Sequence, residues 1–215
     1  MALNVLHKKI WFPPVTDALE DGLLALGGDL STERLLAAYK KGIFPWYDGD
    51  VPLWWCPDPR FVLYPHELKV SKSMSRLLKQ QAFTFTVNTA FEKVIDACQQ
   101  ITRPNQDGTW INDELKQSYI HLHHLGYAHS AEVWKDGELA GGLYGVRLGK
   151  IFFGESMFSA ISNASKYAFM SYVHELIEEG VALIDCQVYT DHLASLGARM
   201  ISRDNFIHQL KDLIS

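Results

Sequence analysis

Apolar and polar positions change period along this chain, and each period predicts an element. Residues 30–41 read as a helix, with Ser31 as N-cap, Glu33 in the first turn, Lys40 and Lys41 in the last, and Gly42 as terminator. Residues 42–60 carry four prolines and three tryptophans, a composition that forbids a helix and predicts a rigid loop bearing large rings. A domain boundary is expected at its end, giving a small N-terminal domain over 1–60 and a larger one over 61–215. From Phe61 strands and helices alternate. Strands are predicted at 61–64 and 83–87, and a helix at 71–80. Thr89 to Glu92 reads as a capping box opening a helix to about Gln100. Asn112 caps the next helix, whose apolar positions Leu115, Tyr119 and Leu122 recur at helical spacing before Gly126. Residues 128–134 and 138–148 flank Lys135-Asp136-Gly137, a hairpin signal, and 150–158 add a third strand. Helices at 164–179 and about 191–196, then an amphipathic one bearing Phe206, Ile207, Leu210, Leu213 and Ile214, complete a mixed α/β layer around an antiparallel hairpin.

One strand breaks the rule that polar groups avoid the core. In the run Val181-Ala182-Leu183-Ile184-Asp185-Cys186-Gln187-Val188, a strand turns Asp185 and Gln187 to one face and Ile184, Cys186 and Val188 to the other. An unpaired polar group there costs roughly 2 to 7 kcal/mol. Two readings follow: a mutual pair that fixes strand register, or a polar site lining a pocket. Glu155, after Gly154 and among apolar neighbours, is a second buried acid. It reads either as a core carboxylate paired with an arginine such as Arg147, or as a site acid for a cationic substrate.

Composition narrows the class. Apolar residues make up 47% of 215, which supports a real core, and no apolar run approaches the roughly 20 residues of a membrane span. The N-terminus lacks a signal-peptide core, so a cytoplasmic protein with no membrane partner is expected. Three cysteines without a Cys-x-x-Cys pair fit a reducing compartment and argue against disulfides or a zinc site. A net charge of −5 gives no global attraction to nucleic acid, so such a partner needs a local basic patch. Lys69, Lys72, Arg76 and Lys79 supply one at three- and four-residue steps, opposite apolar Met74, Leu77 and Leu78. A solvated face and a phosphate-binding stripe are both consistent with it.

Trp46 and Trp110 border glycine-containing turns, where a ring can stack on a base, whereas Trp54 and Trp55 read as packing residues. His121, His123, His124 and His129 lack metal-ligand spacing, and neither a metal nor a cofactor is expected. Gly141-Gly142-Leu143-Tyr144-Gly145 lies in a strand and does not match a phosphate-binding fingerprint.

Six ordered blocks carry a resemblance that runs nearly end to end. They are Leu23 to Leu30, Gly42-Ile43-Phe44-Pro45-Trp46, Trp54-Trp55-Cys56-Pro57-Asp58-Pro59-Arg60, Gly108-Thr109-Trp110-Ile111, Gly154-Glu155-Ser156-Met157-Phe158-Ser159 and Leu183 to Val188. Together they closely resemble the leucyl/phenylalanyl-tRNA-protein transferase family. Cys56 departs from an expected serine, and the chain stops short of the tail associated with the family. The resemblance implies a small N-terminal domain followed by a GNAT-like mixed-sheet domain. It also implies transfer of leucine or phenylalanine, less readily methionine, from aminoacyl-tRNA to the α-amino group of a protein or peptide beginning with Lys or Arg, which makes a degradation signal. On matching positions, Trp46 and Trp110 would hold the tRNA 3′-terminal adenosine, and Leu143, Phe152, Phe169, Tyr172 and Ile184 would line the aminoacyl pocket. The catalytic expectation is that Gln187 aims the attacking amine, Asp185 polarises and orients Gln187, and Glu155 helps to hold the cationic acceptor terminus. Lys69, Lys72, Arg76 and Lys79 would meet tRNA phosphates. A GNAT-like acyl-CoA-dependent N-acyltransferase is the rival enzyme, although no Arg/Gln-x-x-Gly-x-Gly/Ala run is present. A non-catalytic tRNA- or peptide-binding module is the other alternative.

Overall fold

The computed structural model describes residues 3–101 and 111–214. Two sheets organise them. The smaller has the order β1-β2-β4-β3, with β1 (Asn4–Leu6) parallel to β2 (Leu23–Gly27) and the pairings of β4 (Leu53–Trp55) with β2 and with β3 (Phe44–Pro45) antiparallel. The expectation of an irregular 42–60 segment is therefore corrected, since two short strands lie in it. Proline does not prevent this because Pro45 sits on the edge strand, where a missing N–H breaks no ladder bond. Trp54 is sealed in this layer, its Nε1 donating to the Gly27 carbonyl at 2.9 Å.

Helix α1 (Thr32–Tyr39) begins where the Ser31 hydroxyl accepts from the Arg34 N–H, and it ends at Gly42, whose φ of +74° favours glycine. A Cβ on Gly42 would also lie 2.7 Å from the Phe206 ring of the last helix, so the turn after α1 packs directly on the C-terminal region.

The larger sheet has the order β11-β5-β10-β9-β8-β7-β6. Its strands are β5 (Arg60–Leu63), β6 (Thr84–Val87), β7 (Ala128–Lys135), β8 (Glu138–Leu148), β9 (Ile151–Ser159), β10 (Leu183–Gln187) and β11 (Arg199–Ile201). Strand β11 escaped prediction because three residues are too few to show alternation. Left-handed Asp136 and Gly137 close the β7–β8 hairpin, as the sequence signal requires. Helices α2 (Lys72–Lys79), α3 (Phe91–Gln100), α4 (Asp113–His124), α5 (Ala164–Glu178), α6 (Asp191–Ser195) and α7 (Arg203–Leu213) complete the chain. No helix among the described residues is long and apolar enough to cross a membrane.

The capping box before α3 does not form. Glu132 of β7 takes the Thr86 and Thr89 hydroxyls at 2.6 and 3.0 Å, and its other oxygen receives the Ala90 N–H at 3.3 Å. With the Thr89 hydroxyl committed to that carboxylate, the helix starts one residue later, at an N-cap Ala90 without a side-chain cap. This arrangement satisfies a fully buried acid that the sequence did not single out.

Alternation along β9 and β10 gives the large sheet two different faces. Phe152 and Ile184 join the apolar cluster with α5 residues such as Phe169, whereas Phe153 and Leu183 join the cluster that holds Tyr39, Tyr119 and Phe206. The second cluster also includes Leu24 and Trp54 of the small sheet, so one core runs across the boundary between the two sheets. The parallel pairing of β9 with β10 covers only Leu183–Ile151, Ile184–Phe152 and Asp185–Phe153. Beyond it β9 continues along β8 to Ser159 while β10 ends at Gln187. The two strands part, and the opening between them is the cavity described next.

Candidate active site

The expected face-sharing of Asp185 and Gln187 takes a definite form. Asp185, with no exposed surface, receives two of the three Arg60 nitrogens: Nε to Oδ1 at 2.8 Å and a terminal nitrogen to Oδ2 at 2.6 Å. Such two-point pairing is the strong form of a carboxylate–guanidinium contact. The Arg60 guanidinium lies between the rings of Phe44 and Phe206, 4.7 and 4.6 Å from their centroids, which ties the small sheet, the large sheet and α7 to one charge pair. Asp185 Oδ1 also accepts the Gln187 backbone N–H at 3.0 Å.

That last bond holds an unusual turn. The Val188 N–H donates to the Cys186 carbonyl at 2.8 Å, and Gln187 between them has φ of +64°. A two-residue hydrogen bond around a positive φ is the rare, strained form of γ-turn, and a non-glycine residue there needs its surroundings to enforce it. At this point the register of β10 on β5 shifts, so that Cys186 is passed over and Gln187 pairs with Phe61 at the rim of the cavity. Asp185, expected to polarise and orient Gln187, meets it through the backbone N–H and takes Arg60 with the same carboxylate, while the side-chain amide is held by another group.

The side chain of Gln187 is fixed by Glu155, its Nε2 donating to Oε1 at 2.9 Å. Glu155 Oε1 also contacts the Tyr39 hydroxyl and Oε2 the Tyr119 hydroxyl, each at 2.8 Å, and the two hydroxyls are 2.6 Å from each other. Burial raises the Glu155 carboxyl from 4.5 to about 7 against the lowering effect of the tyrosine hydrogen bonds. Burial and the neighbouring carboxyl push both phenols well above their ordinary value, so they keep their protons. The pairing of Glu155 with Arg147 does not occur, since Arg147 lies on Glu179 at the edge of the molecule.

Glu155 and Gln187 line a cavity of about 320 Å³ in the splay between β9 and β10. Leu143, Phe152, Phe169 and Ile184 form its apolar wall. Tyr172 stands one layer behind, its ring edge-on to Phe152 at 5.2 Å, so it shapes the wall without lining it. His192, at the start of α6, completes the polar rim.

The remaining candidates lie elsewhere. Trp46 is 37% exposed and stacks obliquely on Trp55 at 5.8 Å, with the Trp55 Nε1 donating to the Trp46 carbonyl at 2.6 Å. Trp110 lies outside the described residues. Lys69, Lys72, Arg76 and Lys79 are all exposed, and no ion pair among the described residues involves them. Lys69 precedes the first turn of α2 rather than belonging to the helix. No group of His, Cys, Asp or Glu among the described residues could hold a metal ion, and His123 instead stacks on Phe91.

Sequence reasoning missed Arg60, Tyr39, Tyr119 and His192. Arg60 carries no local signal, since its partner is 125 positions away. Tyr119 reads as an apolar helix position and Tyr39 lies unmarked in the first helix, and only their shared acid brings the two hydroxyls together.

The model of the leucyl/phenylalanyl-tRNA protein transferase family matches residues 62–211, and that of the family's N-terminal domain matches residues 28–58. A leucyl/phenylalanyl-tRNA–protein transferase of Syntrophus aciditrophicus is 57% identical over 209 residues, covering 96% of this chain and 87% of that one. The proteins of the same name from Chromobacterium violaceum and Flavobacterium johnsoniae are 55% and 54% identical, over 94% and 96% of this chain and 87% and 98% of theirs. Among solved structures, L-PGS from Bacillus licheniformis gives a TM-score of 0.41 at 12% identity, covering 80% of this chain and 57% of that one. A GCN5-related N-acetyltransferase-like protein from Streptococcus suis gives 0.40 at 10% identity, covering 76% and 61%. With a family model spanning most of its length and relatives more than half identical over nearly all of it, this chain belongs to the leucyl/phenylalanyl-tRNA protein transferase family.

Proposed function

We propose that this protein transfers leucine or phenylalanine, and less readily methionine, from aminoacyl-tRNA to the α-amino group of proteins that begin with Lys or Arg, marking them for degradation. The setting is the cytoplasm, residues 1–60 form a small N-terminal domain and 61–215 the catalytic one. One observation carries the reading. The Gln187 side-chain nitrogen donates to Glu155, and its carbonyl oxygen, for which no hydrogen bond is seen among the described residues, is the acceptor that this reading offers to the cavity. An amine entering that cavity is aimed by this oxygen.

The chemistry needs little more. An aminoacyl ester is already activated, so aminolysis requires a neutral amine aligned on the carbonyl, and alignment can supply up to roughly 7 to 11 kcal/mol. A neutral amide is too weak a base to take the proton, so Gln187 positions rather than deprotonates. The wall of Leu143, Phe152, Phe169 and Ile184, backed by Tyr172, receives the leucine or phenylalanine side chain. Rejection of a β-branched side chain by such a wall is worth only roughly 1 to 3 kcal/mol, so selectivity over isoleucine is partial.

Counting protons changes the part played by Glu155. Three oxygen–oxygen contacts join the carboxyl and two tyrosines, but the tyrosines bring only two protons between them. If Glu155 is ionised, both hydroxyls turn to it and the 2.6 Å contact between them is left without a proton. If Glu155 is protonated, the three groups close a ring in which each contact has one. On this reading Glu155 locks the Gln187 amide as a neutral acid at pH below about 7, in place of the expected holder of a cationic terminus. Its ring joins α1 of the N-terminal domain to α4 and β9, which makes that domain part of the site.

Trp46 and Trp110 stack on the 3′-terminal adenosine. Lys69, Lys72, Arg76 and Lys79, exposed and in no ion pair among the described residues, meet phosphates in a protein of net charge −5.

Purified protein should move labelled leucine from charged tRNA onto a peptide beginning with Arg, and Gln187→Ala should reduce that turnover by about tenfold or more at saturating substrates. Full turnover by Gln187→Ala would refute its aiming role. Arg76→Glu should weaken every tRNA alike and flatten the salt dependence of binding. A loss confined to one tRNA sequence contradicts a phosphate contact. Because the folded-state carboxyl of Glu155 lies near 7, above its ordinary value of 4.5, it favours folding at low pH and loses that contribution as pH rises. Chemical denaturation should find that Glu155→Gln, which cannot ionise, lacks a decline of a few kcal/mol that the wild type shows between pH 4.5 and 8. Parallel pH curves for the two proteins would place the charge inside the folded state and break the ring argument.

A further inference from the structure

An acceptor that begins with Lys or Arg brings a cationic side chain as well as an amine, and a site that selects it needs a negative charge. The cavity lining holds two acids, and neither is free to serve. Asp185 is neutralised by Arg60, and Glu155 keeps its proton in the ring with Tyr39 and Tyr119. We propose that Tyr189 and Asp191, at the rim of the cavity, form the site that receives the Lys or Arg side chain of the acceptor. This inference rests on the aminoacyl-transfer reading and names the specificity-determining residues that reading lacks.

Alternation along the chain puts both residues there. Val188, Thr190 and His192 line the cavity, while Tyr189 and Asp191 stand between them and are exposed. Consecutive Cα atoms are about 3.8 Å apart, so each lies one residue from the lining on either side. The Tyr189 ring rests on Phe61 at 5.3 Å between centroids, and Phe61 is the strand partner of Gln187. The ring thus stands beside the residue that aims the amine.

Tyr189 is 54% exposed, the most of any aromatic side chain among the described residues, yet it is tethered at both ends. Phe61 holds the ring, and the hydroxyl donates to Asp191 Oδ1 at 2.8 Å. That bond also orients the carboxylate, which is in no ion pair among the described residues. Lys166 of α5, near enough to act on the neighbouring His192, makes none with it. A guanidinium or ammonium laid across the ring meets an aromatic face and, at its hydroxyl end, a carboxylate. A neutral first residue can use neither attraction, and an acidic one is repelled by Asp191.

Steady-state transfer from saturating leucyl-tRNA to two peptides that differ only in beginning with Arg or Met tests this, alongside calorimetric binding of the same peptides. In Asp191→Asn and in Tyr189→Ala the Arg-to-Met ratio of kcat/KM should fall at least about threefold, through KM rather than kcat, and the ratio of affinities should fall with it. Asp191→Lys should lower the ratio further and raise transfer to a Glu-initiated peptide. Added salt should erode the ratio of the wild type and leave that of Asp191→Asn flat. A ratio that stays within threefold of wild type in either of the first two variants, or an equal loss on both peptides, would overturn the assignment. A wild type that binds the Arg peptide through Asp191 but transfers nothing would leave the assignment standing and break the transfer reading instead.

Discussion

The pair of Arg60 and Asp185 is the constraint on which the rest depends. Two charges without solvent contact are costly to bury, and their two-point contact offsets that cost only while both partners are present. The geometry spends this pair on position. Asp185 receives the Gln187 N–H, which fixes a γ-turn that an isolated chain would avoid, and Arg60 sits between rings from opposite ends of the chain. A strained turn at the end of a central strand is thus held by an ion pair that spans three parts of the structure.

From that anchor the site follows in order. The turn carries β10 away from β9 and opens the cavity, Gln187 enters it, and Glu155 locks the amide through a ring completed by Tyr39 and Tyr119. The apolar wall of the cavity belongs to the opposite face of the same two strands, because alternation along β9 and β10 sends Phe152 and Ile184 there. Polar and apolar halves of one cavity therefore come from adjacent residues. A one-residue slip in β10 would exchange them.

Much of this was legible in the chain. The hairpin, the caps of α1 and α4, and the amphipathic α7 followed from local chemistry that acts within a few residues. Asp185, Gln187 and Glu155 stood out because a polar residue in an apolar run signals a buried compensation. What the sequence did not convey was the identity of the compensating groups. Arg60 follows a proline-rich stretch and reads as a boundary residue, Tyr119 reads as an apolar helix position, Tyr39 carries no mark of its own, and Glu132 displaced the capping box predicted at Thr89 to Glu92. Each is a partner brought in by topology, and pairings of that separation leave no trace in local periodicity. The strands within residues 42–60 were missed for the opposite reason, since proline and tryptophan content masked pairing that edge position permits.

The account makes Asp185 an anchor before anything else, so its most direct test is the unfolding free energy of Asp185→Asn against the wild type. Loss of the carboxylate leaves a guanidinium buried without its counter-charge, and a drop of about 3 to 5 kcal/mol is predicted. A drop below about 1 kcal/mol, with turnover still abolished, would contradict the account and make Asp185 a chemical participant instead.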